Sequence, residues 1–132
     1  MKPKLYVAGK YMDQRVYDVM DDLMDRGFEL TLNWKVIEAK KPFAQNKDYN
    51  QPASEAMIAG VAASDVFVMV GHEKQHGAMV EMGAALALGK PVYIVDAENT
   101  RDSIFFAHSA IRDVTYEELL KELENYGTAE NG

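Results

Sequence analysis

The sequence predicts an α/β fold: a flavodoxin-like three-layer sandwich built on a parallel sheet of four or five strands. Two observations carry that reading. Short apolar runs alternate along the chain with segments of helical period, the pattern of a parallel sheet with right-handed crossovers. Between Val61 and Val95 one such unit reads almost without interruption as strand, polar loop, helix, turn and strand. No internal repeat and no linker divides the chain, so one domain is expected over 1–126, with 127–132 as a flexible tail.

Taken in order, Leu5-Tyr6-Val7-Ala8 is a short buried strand that ends at Gly9. A helix follows, opened by Asp13, with Val16, Val19, Met20, Leu23 and Met24 on one face and Gly27 as its stop. Phe28 to Leu32 alternates enough for a second strand. From Lys35 to Gln51 periodicity is lost and Lys35, Lys40, Lys41, Lys47 and Pro42 mark a long exposed loop, of a length that in compact domains is often either a lid or disordered. Pro52 to Ala63 reads as the second helix, Val66 to Val70 as the third strand, Ala78 to Leu88 as the third helix and Val92 to Val95 as the fourth strand. Further on, Ile104-Phe105-Phe106 needs burial, and Ile111 to Val114 suits a short edge strand. Thr115 with Glu118 three residues later forms a capping box for a last helix through Tyr126.

At 132 residues the chain is long enough for a real hydrophobic core. Its net charge of −7, spread along the sequence, argues against wrapping a nucleic-acid polymer, although a small nucleotide fits. With no cysteine, disulfides, thiolate zinc sites and thiol catalysis are excluded. The first residues run straight into a short strand without the apolar core of a signal peptide, and no apolar run spans a bilayer; the expected location is cytoplasmic, with no membrane partner.

The chemistry concentrates around one carboxylate. Residues 78 to 88 are almost wholly apolar, and Glu81 is the only charge among them. A carboxylate in apolar surroundings is costly without partners. Glu81 therefore either lies on the helix's solvated side, or near its positive N-terminus, or faces a pocket at the carboxyl ends of the strands, where open α/β folds bind ligands. Asp65 is a good helix-to-strand turn residue. Paired with Glu81 at one sheet edge it suggests retaining glycoside chemistry, one carboxylate as nucleophile at an anomeric carbon and the other handling the leaving group. Tyr6 is placed either to hydrogen-bond the nucleophile or simply to fill the core. Trp34 either stacks on a base or packs under the long loop.

Two loops bear on ligand binding. Gly71 and Gly77 bracket a polar loop, and the helix that follows offers free backbone amides to an anion. Gly9 serves either a tight turn or a close backbone approach to a ligand beside Lys10 and Tyr11. The segment His72-Glu73-Lys74-Gln75-His76 also spells the H-E-x-x-H signature of zinc hydrolases, which needs one helix to present both imidazoles. Here it follows a strand and Gly71 and ends at Gly77, so a polar loop over a ligand is the better reading.

Leu5-Tyr6-Val7-Ala8-Gly9, then Ala63-Ser64-Asp65-Val66-Phe67-Val68, then Gly77-Ala78-Met79-Val80-Glu81-Met82-Gly83-Ala84-Ala85-Leu86-Ala87-Leu88-Gly89-Lys90-Pro91-Val92 together resemble the nucleoside 2-deoxyribosyltransferase family, which includes deoxynucleoside 5'-monophosphate N-glycosidases. The resemblance runs over roughly residues 4 to 125 and is most specific around Glu81. It implies a flavodoxin-like domain that cleaves the N-glycosidic bond of a deoxynucleoside or its 5'-monophosphate. Glu81 falls on the family's nucleophile, Asp65 on its strand-start aspartate acting at the base side, and Tyr6 on its first-strand tyrosine. A glycosyl ester on Glu81 would pass 2-deoxyribose to a second base or to water, with no metal or organic cofactor. The family's oligomers, with sites completed by a neighbouring subunit, imply a homodimer or higher homo-oligomer.

Departures leave the substrate open. Gln75 stands six positions before Glu81, where some transferases have an acid and monophosphate hydrolases a nearby serine, and Met57 stands where many relatives have an aspartate. Gly9, Lys10, Trp34, Gly71, Gln75, His76 and Gly77 are the expected substrate-binding residues, with His76, Lys10 or Lys74 as candidates for a 5'-phosphate. The alternatives are a nucleotide-binding module without catalysis and a zinc hydrolase using His72 and His76.

Overall fold

The computed structural model describes residues 2–100 and 103–127. Four strands, β1 (Leu5–Ala8), β2 (Val66–Val70), β3 (Val92–Val95) and β4 (Ile111–Val114), form one sheet in that order, all parallel. Four helices surround it: α1 (Gln14–Asp25), α2 (Lys47–Ala63), α3 (His76–Ala87) and α4 (Tyr116–Glu124). This is the three-layer α/β architecture expected. Every residue of β1 and β2 is buried, as suits strands covered on both faces, whereas the edge strand β4 exposes Arg112 and Asp113.

The expected second strand shrinks to a single bridge. Leu30 pairs in parallel with Leu5, which donates its N–H to Glu29 and accepts from Thr31 at 2.9 and 2.8 Å. One turn later the ladder is displaced by a side chain, because the indole Nε1–H of Trp34 donates to the Val7 carbonyl at 2.6 Å. That acceptor is the one a longer strand would use.

Helix ends follow local chemistry. The Asp13 side chain accepts from the Arg15 N–H to open α1, and Gly27 closes it in the left-handed region at φ 91°. The Thr115–Glu118 capping box opens α4, which stops at Glu124 rather than reaching Tyr126. Helix α2 begins at Lys47, five residues before the expected Pro52; the proline lies inside it and leaves the Asp48 carbonyl without its helical donor. The loop before it is correspondingly shorter, contains 3₁₀ turns at Trp34–Val36 and Phe43–Asn46, and is pinned by Asn50, whose amide bonds the Lys40 N–H, the Lys40 carbonyl and the Phe43 carbonyl.

Ile104 and Phe105 are exposed, at 84% and 63%, and only Phe106 packs partly against the core. The expected tail beyond Gly127 lies outside the described residues. Among the described residues no helix is long and apolar enough to cross a membrane.

Candidate functional site

Tyr6, fully buried, meets the half-buried Glu81. Strand alternation turns Tyr6 toward α2 and α3, and its ring lies parallel to that of Phe67 in β2, with centroids 5.8 Å apart. Gly60 of α2 makes room for it, since a Cβ there would come within 3.0 Å of Tyr6 Cε2. Across this packed surface the Tyr6 hydroxyl donates to Glu81 Oε2.

The surroundings tune the pair. Burial pushes the Glu81 carboxyl up to about 7, while the Tyr6 hydrogen bond pulls it the other way. Burial, the Glu81 charge and the same hydrogen bond hold the Tyr6 hydroxyl far above the usual tyrosine range, so Tyr6 remains a donor. Near neutral pH Glu81 is thus divided between a protonated acid and a carboxylate held by one hydrogen bond. It is the sole carboxyl on α3, and it is partly withdrawn from solvent rather than a fully solvated surface acid.

At the carboxyl end of β2 the chain enters the loop Gly71–Gln75 and then α3. Gln75 occupies the N-cap position without making a side-chain cap bond, and the first turn of α3 contains no acid. Its amide is buried, the residue being only 7% exposed, yet neither Nε2 nor Oε1 has a partner. A buried amide with both ends unpaired costs about 1–3 kcal/mol per group, and a ligand carrying a donor and an acceptor would relieve it. His76 and Gly77 are exposed beside it, and nothing lies within 4 Å of a Cβ built at Gly77. Among the described residues Asn33 Oδ1 is likewise buried without a partner. Sequence reasoning missed Asn33, because no local pattern separates an orphaned asparagine from a solvated one.

Several expected residues are elsewhere. Asp65 stands at the amino-terminal edge of the sheet, where β2 begins; it is exposed, its N–H donates to the Lys4 carbonyl and its Oδ2 accepts from the Lys4 N–H, both at 2.8 Å. The expected pairing of Asp65 with Glu81 at one edge is therefore corrected: Asp65 joins the starts of β1 and β2. Asp65→Asn should leave kcat within about threefold and lower stability by about 1 kcal/mol, measured by steady-state assay and urea unfolding; a hundredfold loss of kcat would restore a catalytic role.

Trp34 is buried, tilted against Tyr17 with centroids 5.8 Å apart, and its indole N–H is taken by Val7. It packs under the loop and offers no face to a base. Gly9 is required by packing, since a Cβ there would overlap the Val16 side chain. Lys10 is half-buried in the following loop, and Gly71 is wedged against the Asp96 carbonyl. His72 accepts the Lys74 N–H on Nδ1 at 2.9 Å in the loop, while His76 is the first residue of α3. The two histidines do not share a helix face, and among the described residues no group of three or more His, Asp or Glu could hold a metal ion.

A three-layer α/β fold that seats a buried tyrosine against a half-buried glutamate, with an unpaired amide at the start of the glutamate's helix, defines an α/β protein with a single carboxylate at its candidate site. A family model described as nucleoside 2-deoxyribosyltransferase matches residues 5–126. The chain belongs to the nucleoside 2-deoxyribosyltransferase family, and is an enzyme of its transferase or N-glycoside hydrolase class. Among solved structures it is similar to the CMP N-glycosidase BcmB of Clostridium botulinum, at 18% identity over 92% of this chain and 98% of that one, with a TM-score of 0.60. At that identity the likeness speaks for the fold. No curated protein matches the chain.

Proposed function

We propose that this enzyme cleaves the N-glycosidic bond of deoxynucleosides or their 5'-monophosphates through a covalent intermediate on Glu81. The observation that carries the reading is the partly buried Tyr6–Glu81 hydrogen bond, which leaves Glu81 Oε1 free while Tyr6 steadies Oε2. In the first step Oε1 forms a bond to C1', the C1'–N bond breaks, and its electron pair leaves with the base, which takes a proton from water. In the second step water or another base attacks C1' and releases the carboxylate. Both displacements balance without a cofactor. The unpaired Gln75 amide and the open start of α3 suit the sugar or its 5'-phosphate, and the similar enzyme's description as a CMP N-glycosidase points to the same bond.

The test is to incubate each deoxynucleoside and each 5'-monophosphate with the protein, with and without a second base, beside a Glu81→Ala control. Exchange of bases identifies a transferase and release without exchange a hydrolase. Because the nucleophile must be ionised, kcat/KM should rise with pH and reach half its plateau near pH 7. Saturable binding without any base released, or turnover that survives Glu81→Ala, would overturn the mechanism.

The outer face of α2 and α3 supports a homo-oligomer. Val80, Gly83 and Ala87 on α3, Leu88 at its C-cap, and Ile58, Ala59, Ala62 and Ala63 on α2 are exposed and uncharged in a chain of net charge −7. We expect a second copy on this face, so that sedimentation gives a dimer or larger species and Val80→Asp shifts it toward monomer; a monomeric wild type would sink this expectation.

A further inference from the structure

We infer that Arg15 is a positioning residue for the Gly71–Gln75 loop, and through it for Gln75 and Glu81; this deepens the proposed function and rests on it. Arg15 lies in the first turn of α1, and its guanidinium ties together the loops that follow three consecutive strands. In the loop after β1, Nε donates to Asp13 Oδ1 at 3.2 Å and Nη2 to Asp13 Oδ2 at 2.7 Å. After β2, Nη2 donates to the Gly71 carbonyl at 2.9 Å. After β3, Nη1 donates to Asp96 Oδ2 at 3.1 Å.

The middle loop is held on more than one side. The Gly71 N–H donates to the Val95 carbonyl at 2.7 Å, and a Cβ on Gly71 would overlap the Asp96 carbonyl and come within 3.1 Å of Thr100 Cγ2. Asp96 itself sits in the left-handed region at φ 58°, unusual for a residue with a side chain, while its carboxylate is held by Arg15. Only residues 72–75 separate Gly71 from the start of α3. Fixing the Gly71 carbonyl therefore fixes where that helix starts, where the unpaired Gln75 amide lies, and how Glu81 approaches Tyr6. Arg15 acts through Gly71 rather than on the reacting atoms. A planar guanidinium can serve these acceptors at once, which a single ammonium cannot do in the same geometry.

The experiment compares Arg15→Met, Arg15→Lys and Asp96→Asn with Asp22→Asn, a control that takes the charge from the acceptor of the Tyr116 hydroxyl and of Arg26, away from the clamp. Two readouts are taken on the folded proteins: amide hydrogen exchange across residues 76–82, and kcat with KM. For Arg15→Met we expect exchange in the first turns of α3 about tenfold faster or more, and kcat lower by about 10–100-fold with a smaller change in KM. Arg15→Lys and Asp96→Asn should fall between it and wild type, and Asp22→Asn should change neither readout beyond twofold. Wild-type exchange in α3 for the Arg15 variants would overturn the inference and leave Arg15 as a stabiliser of α1 alone. If Arg15→Met does not fold, the Asp96→Asn variant decides by the same criterion. Because exchange is read without substrate, a wild type that turns nothing over would refute the proposed reaction while the positioning role is still decided.

Discussion

Glu81→Gln should abolish turnover and at the same time stabilise the protein above pH 7. The kinetic half follows from the proposed mechanism, in which a Glu81 carboxylate oxygen bonds to C1', and a loss of at least ~10³-fold in kcat is expected. The stability half follows from linkage. Burial raises the Glu81 carboxyl from 4.5 to about 7 in the folded protein, so between those values the folded state holds a proton that the unfolded state has released. Stability then falls as pH rises through that window and levels off above it. The gap corresponds to about 3 kcal/mol as a ceiling for a half-buried group. Glutamine is neutral at every pH, is close in shape, and can still accept the Tyr6 hydroxyl. Urea unfolding should find the variant and wild type nearly equal at pH 5 and the variant more stable at pH 8. Equal differences at both values would show that Glu81 is not strained by its surroundings.

What was legible in the sequence is what local chemistry decides. Four of the five expected strands formed, Asp13 and Gly27 bounded α1, and Thr115 with Glu118 capped α4, because each signal lies within a few residues of its consequence. The second strand failed for a tertiary reason, since Trp34 takes the Val7 carbonyl from a residue beyond the run itself. Pro52 hid the first turns of α2 by looking like a boundary. The misplaced partner, Asp65, was within reach of sequence reasoning: in a parallel sheet the residue before a strand lies at the amino edge, opposite the loops after the strands. The unpaired Gln75 amide and the Arg15 clamp were not within reach, because burial and the meeting of loops 56 and 81 residues away from Arg15 are set only by the whole fold.

Tyr6→Phe tests the half of the pair that does no bonding to substrate. The substitution keeps the ring stacked on Phe67 and seated against Gly60, and removes only the hydroxyl that donates to Glu81. That bond lowers the Glu81 carboxyl, so its loss moves Glu81 further up, and the rise of kcat/KM should occur at higher pH than in wild type. At pH 7 two losses combine: fewer molecules carry an ionised nucleophile, and those that do have lost the donor that steadied it. A hydrogen bond to a charged group contributes about 1.5–3 kcal/mol, which sets the expected fall in kcat/KM at ~10–150-fold. Raising the pH should recover the part due to ionisation and leave the part due to orientation. A variant with the wild-type pH dependence and a uniformly lowered rate would mean that Tyr6 only orients Glu81, and one with wild-type rates throughout would return Tyr6 to the core. The tyrosine matters to the proposed mechanism because an apolar helix can carry a carboxylate near neutrality only as a compromise: burial favours the proton, the Tyr6 hydroxyl favours the charge, and in the proposed reaction the balance near pH 7 would let one group attack as a carboxylate and leave as one.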